Sequence, residues 1–195
     1  MKKKSYLGYI IGGLIIVIGI WMIVTYNSLV KKQELVKLDW NEVQNTYQRR
    51  MDLIPNLVNT VKGGAVYEQT TLQKVIEARS KAASVNVEGE PSADKYNQQA
   101  AAQDELAGTA NRLIISAEKY PDIKGTKAFS ELQAQLVGTE RRIKIARKDF
   151  NGAIAAYNSS VKSFPTKIVA GLFGFAPKDG FQSDSGTDKA VEIKF

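Results

Sequence analysis

The chain contains 195 residues, enough for one domain of ordinary size and too few for two comfortable ones. It has no histidine and no cysteine, which excludes Ser-His-Asp and Cys-His catalysis, Cys/His zinc sites and disulfide bonds. The formal net charge is +7, of which residues 2–4 carry three units, and the mild excess that remains predicts no nucleic-acid partner.

The first predicted element is a membrane-spanning helix. Residues 5–30 carry no charge. Their strongly apolar part, residues 7–24, would be about 27 Å long as an α-helix, close to the roughly 30 Å hydrocarbon thickness of a bilayer. A cleaved signal peptide is the alternative, but the run closes with Trp21, Met22, Tyr26 and Asn27 instead of a small-x-small cleavage site. Residues 1–25 are therefore predicted to be a retained transmembrane signal anchor that contacts membrane lipid through residues 7–24.

Flanking charges predict the orientation of this anchor. The three lysines at residues 2–4 and the terminal amine favour a cytoplasmic N-terminus, while Lys31, Lys32 and Lys37 compete weakly from the other side. We expect a single pass through the cell (inner) membrane, with the body of the protein on the extracytoplasmic side.

The body, residues 26–165, is predicted to be a helical bundle. Apolar residues recur at intervals of three and four in four stretches. The first stretch includes Trp40, Val43, Tyr47 and Arg50 on one stripe, and the stretch from Phe129 to Phe164 has the a/d spacing of a coiled coil. Short turns near residues 89–92 and 121–125 favour antiparallel neighbours. The predicted fold class is all-α: a single N-terminal transmembrane helix followed by an antiparallel three- to four-helix bundle of long helices.

The C-terminal part is predicted to be less regular. Residues 166–181 form an irregular, apolar, glycine-rich tail, in which Phe173 and Phe175 either cap one end of the bundle or dock on lipid or protein. Residues 182–195 are predicted to be a flexible tail that ends in "VEIKF", a short strand-like segment that needs an edge to pair with.

A series of short motifs runs along the chain: "YNSLV", "RRMDLIPNLVNTVKG", "EAR", "AEKYPDIK", "ELQ", "TERRI", "ARKDFN", "AYN", "FP" and "GLFGF". In their order and spacing these motifs resemble those of the LemA family of bacterial membrane-anchored helical proteins. The resemblance implies a helical bundle behind one membrane span, without an established catalytic activity or cofactor. One departure stands at Tyr67 and Glu68, where the family usually has a His-Glu pair.

The charged cluster of Arg49, Arg50 and Asp52 has two interpretations. A carboxylate beside two cations has a shifted pKa, which is a feature of catalytic acids. The structural interpretation has Arg50 project into the bundle and pair with Glu68 or Glu140 on a neighbouring helix, and it is favoured because buried charges usually survive by pairing. Arg79 is the second charge, with Glu68, in the apolar stripe of residues 57–82.

Two prolines mark changes in chain direction. Pro55 lacks an N–H and clashes with the carbonyl four residues earlier, so it either begins a new helix or kinks a continuous one. Tyr120 and Pro121 are interpreted as a turn with helix-end packing, although Glu118 beside them suggests a carboxylate site.

These observations predict a membrane-anchored, non-enzymatic scaffold or interaction protein of the bacterial envelope that self-assembles into a homo-oligomer or holds other envelope membrane proteins. No catalytic, cofactor-binding or metal-binding residue is assigned. The alternative is a carboxylate-metal enzyme, or an accessory subunit of a membrane protease system, with Glu68, Glu118 and Glu140 as inward ligands. Carboxylate bundles normally add histidine ligands, which this chain lacks.

Overall fold

The computed structural model of the protein describes residues 6–62, 69–85 and 92–181. Within these ranges all regular structure is α-helical, which confirms the all-α class. The helices are α1 (Tyr6–Lys62), α2 (Gln69–Ser84), α3 (Ala93–Ala117), α4 (Pro121–Lys124), α5 (Lys127–Lys162) and α6 (Thr166–Leu172). The predicted strand-like segment "VEIKF" and the predicted flexible tail, residues 182–195, lie outside the described residues.

Helix α1 is 57 residues long and runs through Pro55 without a break. The structure therefore favours one continuous helix over two helices separated by the proline. The sequence pattern assigned residues 57–62 to the start of a second amphipathic stretch. In the structure these residues end α1, and the later described part of that stretch forms α2. Among the described helices, α1 alone has the length and apolar content needed to cross a membrane.

The prediction of an irregular segment directly after Pro165 was wrong for residues 166–172, which form α6. Val169 and Ala170 are almost fully buried there, and burial of an apolar face stabilises a helix too short to form in isolation. The irregular backbone begins after Leu172, where Gly174 has a positive φ of 76° that favours glycine.

The chain divides into two compact units. The described part of the first unit consists of residues 6–39 and 150–178. Its buried apolar side chains come from three helices: Leu29 and Val36 of α1, Phe150, Ala153, Ile154, Tyr157 and Val161 of α5, and Val169 and Ala170 of α6.

The second unit consists, in its described part, of residues 40–62, 69–85, 92–149 and 179–181. Its hydrophobic core draws on all five helices of the unit, with Ile54, Leu57 and Val61 of α1 among its members. Helix α2 packs against α3 in this unit. The antiparallel order of the whole bundle stays a prediction.

Candidate functional site

The central feature of the second unit is the buried guanidinium of Arg50. This side chain is 3% exposed, and it pairs with Glu140 of α5 through Nη2. Its Nη1 donates a hydrogen bond of 2.7 Å to the backbone carbonyl of Gln103 in α3. Burial lowers the pKa of Arg50 below its ordinary value, and the charge of Glu140 opposes that shift. One arginine thus links three helices, and its charge is compensated by a carboxylate that is itself 42% exposed.

A cleft of about 160 Å³ lies beside this ion pair. Arg50, Asn111 and Glu140 supply its polar wall, and the remaining lining is apolar, from Ala107, Ala110, Ile114, Leu136 and Val137. The cleft contains an ion pair and no nucleophile-base pair. In the part of the chain that the structure describes, no group of three acids is close enough together to hold a metal ion.

A second arginine network, which sequence reasoning missed, is built around Arg147 of α5. Its Nε donates to the Tyr47 hydroxyl at 2.8 Å, and its Nη2 donates to Asp104 Oδ1 at 2.9 Å. The guanidinium carbon lies 5.4 Å from the centre of the Tyr47 ring and 5.5 Å from that of Phe181. Both distances are within the range of cation–π attraction. The signal for this network was Tyr47 itself, because a phenol on a predicted buried stripe needs a hydrogen-bond partner.

Tyr47 is completely buried, and this burial raises the pKa of its phenol, although the neighbouring Arg147 opposes the shift. The phenol is therefore neutral near pH 7 and accepts the hydrogen bond from Arg147. Phe181 also contacts two further rings, with centroid distances of 6.0 Å to Trp40 and 5.7 Å to Tyr96. The Phe181 ring thus covers one side of the Arg147 guanidinium and supplies no catalytic side chain.

The structure does not bring Arg49, Arg50 and Asp52 together. Arg49 donates to Gln135 at 3.3 Å, while Asp52 accepts a hydrogen bond of 2.7 Å from Gln48 one turn earlier. Asp52 and Arg49 are both exposed, and only Arg50 enters the core. The interpretation of this cluster as a catalytic carboxylate beside two cations has no support in this geometry.

Pro55 and Arg79, which no sequence pattern connects, meet at one backbone group. A proline at position 55 leaves the carbonyl of Met51, four residues earlier, without its helical N–H donor. Arg79 Nε of α2 donates to that Met51 oxygen at 3.0 Å. The arginine thus replaces the hydrogen bond that the proline removes, which explains how α1 continues through Pro55.

Tyr120 and Pro121 begin the short helix α4. Tyr120 is the residue before its first turn, and its carbonyl accepts a bond of 3.0 Å from the Lys124 amide. Ile123 is the buried residue of α4, so this short helix packs through Ile123 and has a structural role. Glu118 accepts a hydrogen bond of 3.3 Å from Gln133. Glu68, the third suggested metal ligand, lies outside the described residues.

Phe173 and Phe175 lie against α1 in the first unit. Their ring centroids are 4.9 Å and 5.6 Å from that of Tyr26, both in edge-to-face arrangements. The backbone that follows is held by Asn158 of α5, whose amide donates to the Lys178 carbonyl at 2.7 Å and accepts from the Lys178 amide at 2.8 Å. The two phenylalanines thus pack on Tyr26, two residues after the apolar stretch of α1 ends at Val24.

These features define an all-α protein with a long apolar N-terminal helix and a buried arginine that pairs with a carboxylate of another helix. Residues 39–195 match the LemA family, and the chain belongs to that family. It is 26% identical over 163 residues to Protein LemA of Metamycoplasma hominis, covering 80% of this chain and 69% of that protein. It is 22% identical over 189 residues to Magnetosome protein MamQ 2 of Paramagnetospirillum magneticum, covering 87% of this chain and 69% of that one. MamQ of Magnetospirillum gryphiswaldense matches with the same identity and coverage. None of these names designates an enzyme.

Proposed function

We propose that the chain is a single-pass, membrane-anchored scaffold of the bacterial envelope, without catalytic activity. In this proposal α1 spans the cell membrane through residues 7–24, and the helices of residues 26–165 form an antiparallel bundle outside the cytoplasm. The bundle holds copies of itself or other envelope membrane proteins close to the membrane.

The observation that carries the proposal is the exposure of apolar side chains on α1. Eleven large apolar residues between Tyr9 and Val24 are each 46–81% exposed. Burying such a side chain is worth roughly 1.5–3 kcal/mol, so covering the set is worth on the order of 15–30 kcal/mol. A bilayer covers a single helix on all sides, and the apolar stretch matches its thickness.

Charge-introducing variants test the membrane anchor. We expect the double substitution Ile16→Arg/Ile20→Arg to release the protein from membranes washed with alkaline carbonate, because each arginine at mid-membrane costs about 2.5–3.5 kcal/mol. The matched control is Ile145→Arg, a similarly exposed isoleucine on α5. Wild-type protein in the soluble fraction would contradict the anchor.

The orientation is tested by protease added to spheroplasts. We expect digestion of the body and protection of the N-terminal residues, because the lysines at residues 2–4 favour the cytoplasm. A body that resists protease until the membrane is broken would place it in the cytoplasm instead.

The scaffold role is supported by the site geometry, since Arg50, Glu140, Arg147 and Asp104 are engaged in structural pairs. Extraction in mild detergent, followed by mass determination of the particle, tests assembly. We expect a mass above that of one chain, reduced when residues 182–195 are deleted. A full-length particle containing a single chain and no other protein would contradict the scaffold role.

A further inference from the structure

Helix α6 has one buried side and one exposed apolar side. Val169 and Ala170 are 0% and 1% exposed, whereas Ile168 and Leu172 are 53% and 67% exposed. Residues four positions apart are neighbours on a helix surface, so Ile168 and Leu172 form a continuous apolar edge. Phe164, four residues before Ile168, is 83% exposed, and Phe173 after the helix is 53% exposed.

We define the apolar edge as Ile168 and Leu172 on α6, together with the exposed Phe164 before the helix and Phe173 after it. A contiguous exposed apolar patch marks a surface that contacts a membrane or another protein. Its four members fall within ten consecutive residues, and two of them are phenylalanines. The side chains of this edge are thus placed to enter an apolar medium.

The position of the edge identifies that medium. The Phe173 ring lies 4.9 Å from the Tyr26 ring, between centroids, and Tyr26 follows the end of the apolar stretch of α1 by two residues. Two residues correspond to about 3 Å along a helix axis. If α1 is the membrane anchor proposed above, Phe173 lies at the level of the lipid headgroups, where aromatic residues are enriched.

Charge favours the same occupant. Residues 150–178 contain three lysines and no acid. Lys162 and Lys167, on either side of Phe164, are both exposed, as is Lys31 of α1. Cations next to an apolar edge are typical of segments that lie in the interface of an anionic membrane, each contributing attraction to acidic lipids.

We infer that α6 is a second membrane contact, whose apolar edge inserts into the interface of the same bilayer that α1 crosses, with Lys162 and Lys167 facing anionic headgroups. This inference rests on the proposed membrane anchor. The chain is then fixed to the membrane surface at two places, one spanning and one lying in the interface.

The absence of native cysteine allows a direct test. Single variants Ile168→Cys and Leu172→Cys, each carrying a nitroxide label, are reconstituted as the full chain in vesicles of phosphatidylcholine and phosphatidylglycerol. Collision rates with oxygen, which concentrates in lipid, and with a water-soluble nickel chelate report the depth of each label. Ile16→Cys serves as the anchor control, and Val137→Cys, 64% exposed on α5, serves as the aqueous control.

We expect the oxygen-to-nickel collision ratio at positions 168 and 172 to be several-fold above that at position 137 and below that at position 16. A ratio equal to that at position 137, with a high ratio at position 16, would overturn the α6 contact and leave the anchor standing. A low ratio at position 16 would contradict the anchor itself. Low rates with both reagents at positions 168 and 172 would indicate a protein-covered face and would also overturn the inference.

The role of the lysines is tested in the same system. In the Leu172→Cys background, Lys162→Gln/Lys167→Gln should lower the collision ratio, and so should replacing phosphatidylglycerol by phosphatidylcholine. Because the substituted residues are exposed, circular dichroism should show unchanged helix content. A ratio that is insensitive to both changes would overturn the assignment of the lysines to anionic headgroups.

Discussion

The two ends of α1 show how one secondary structure serves two environments. Between Tyr9 and Val24 the helix exposes apolar side chains in every direction and has no charged residue. Between Trp40 and Val61 only one stripe is buried, and that stripe includes the polar residues Thr46 and Arg50. The first pattern suits a helix that lipid surrounds, and the second suits a helix that packs on one side. Polar contacts therefore matter to stability only in the second part.

The largest expected effect comes from breaking the Arg50 ion pair in the second part of α1. Glu140→Ala leaves the buried Arg50 without its carboxylate, at a cost of about 2–4 kcal/mol, because an uncompensated buried charge is strongly unfavourable. Thermal unfolding in detergent, followed by circular dichroism, should show a melting temperature lower by roughly 5–15 °C.

Two controls sharpen this result. Ile16→Ala, in the part of α1 that is exposed, should leave the melting temperature of the body unchanged. The double variant Arg50→Met/Glu140→Leu should recover most of the loss, since apolar replacement of a buried pair is often neutral. A Glu140→Ala protein as stable as wild type would contradict the structural role of the pair.

The next effect concerns the hydrogen bond between Arg79 and the Met51 carbonyl. Arg79→Ala should destabilise the protein by about 1–2 kcal/mol, because it leaves that carbonyl without a donor. In a Pro55→Ala background the alanine N–H can bond to Met51, so the same Arg79 substitution should cost clearly less. A double-mutant cycle measured by thermal unfolding gives the difference. Equal costs in both backgrounds would show that Arg79 acts independently of Pro55.

A smaller effect, of opposite sign, is expected at Gln103. Its side chain is fully buried, and its Nε2 has no hydrogen-bond partner among the residues that the structure describes. Gln103→Met keeps the backbone carbonyl that binds Arg50 and removes the unpaired Nε2. It also removes Oε1, whose bond from Arg50 Nη1 is long at 3.5 Å, so the substitution should stabilise the protein by about 1 kcal/mol at most. Gln99→Met is the contrasting control, because Gln99 and Gln44 exchange two hydrogen bonds of 2.8 Å and should lose them. A loss of stability at Gln103 similar to that at Gln99 would show that the amide is satisfied.

An effect of similar size at neutral pH is expected at Tyr47. Tyr47→Phe removes the bond from Arg147, worth about 0.5–1.5 kcal/mol, while Asp104 still binds the arginine. Burial raises the pKa of Tyr47 in the folded protein, so its contribution is complete below the unfolded value of about 10 and is lost as the pH rises above it. Melting temperatures measured across that pH range should therefore fall less steeply for Tyr47→Phe than for wild type. Parallel curves would contradict the raised pKa.

Local periodicity was sufficient to predict the helices and much of the core. The stripe that includes Trp40, Val43, Tyr47 and Arg50 was read from its spacing, and all four are 6% exposed or less. Glu140 was one of two acids suggested for Arg50, and the structure pairs these residues. The same periodicity did not predict α6. This seven-residue segment contains a glycine, and its helix is stabilised by the burial of Val169 and Ala170, which local spacing does not reveal.

The contacts that sequence reasoning missed all join residues distant along the chain. Arg147 meets Asp104 across 43 positions and Tyr47 across 100, and nothing in the local pattern of either residue specifies such a partner. Continuity through Pro55 was undecided for the same reason. Proline costs a helix about 3 kcal/mol, and only the position of Arg79 in the folded protein supplies a substitute donor.

The hydrogen bond from Arg79 to the Met51 carbonyl has a consequence for the evolution of these proteins. A proline at position 55 and a cation at position 79 form one functional pair, although 24 positions separate them. Lineages that replace the proline should be released from the need for arginine at the second position, whereas lineages that keep the proline should retain a side chain able to donate there. Correlated substitution at these two positions among family members is the expected record of that dependence.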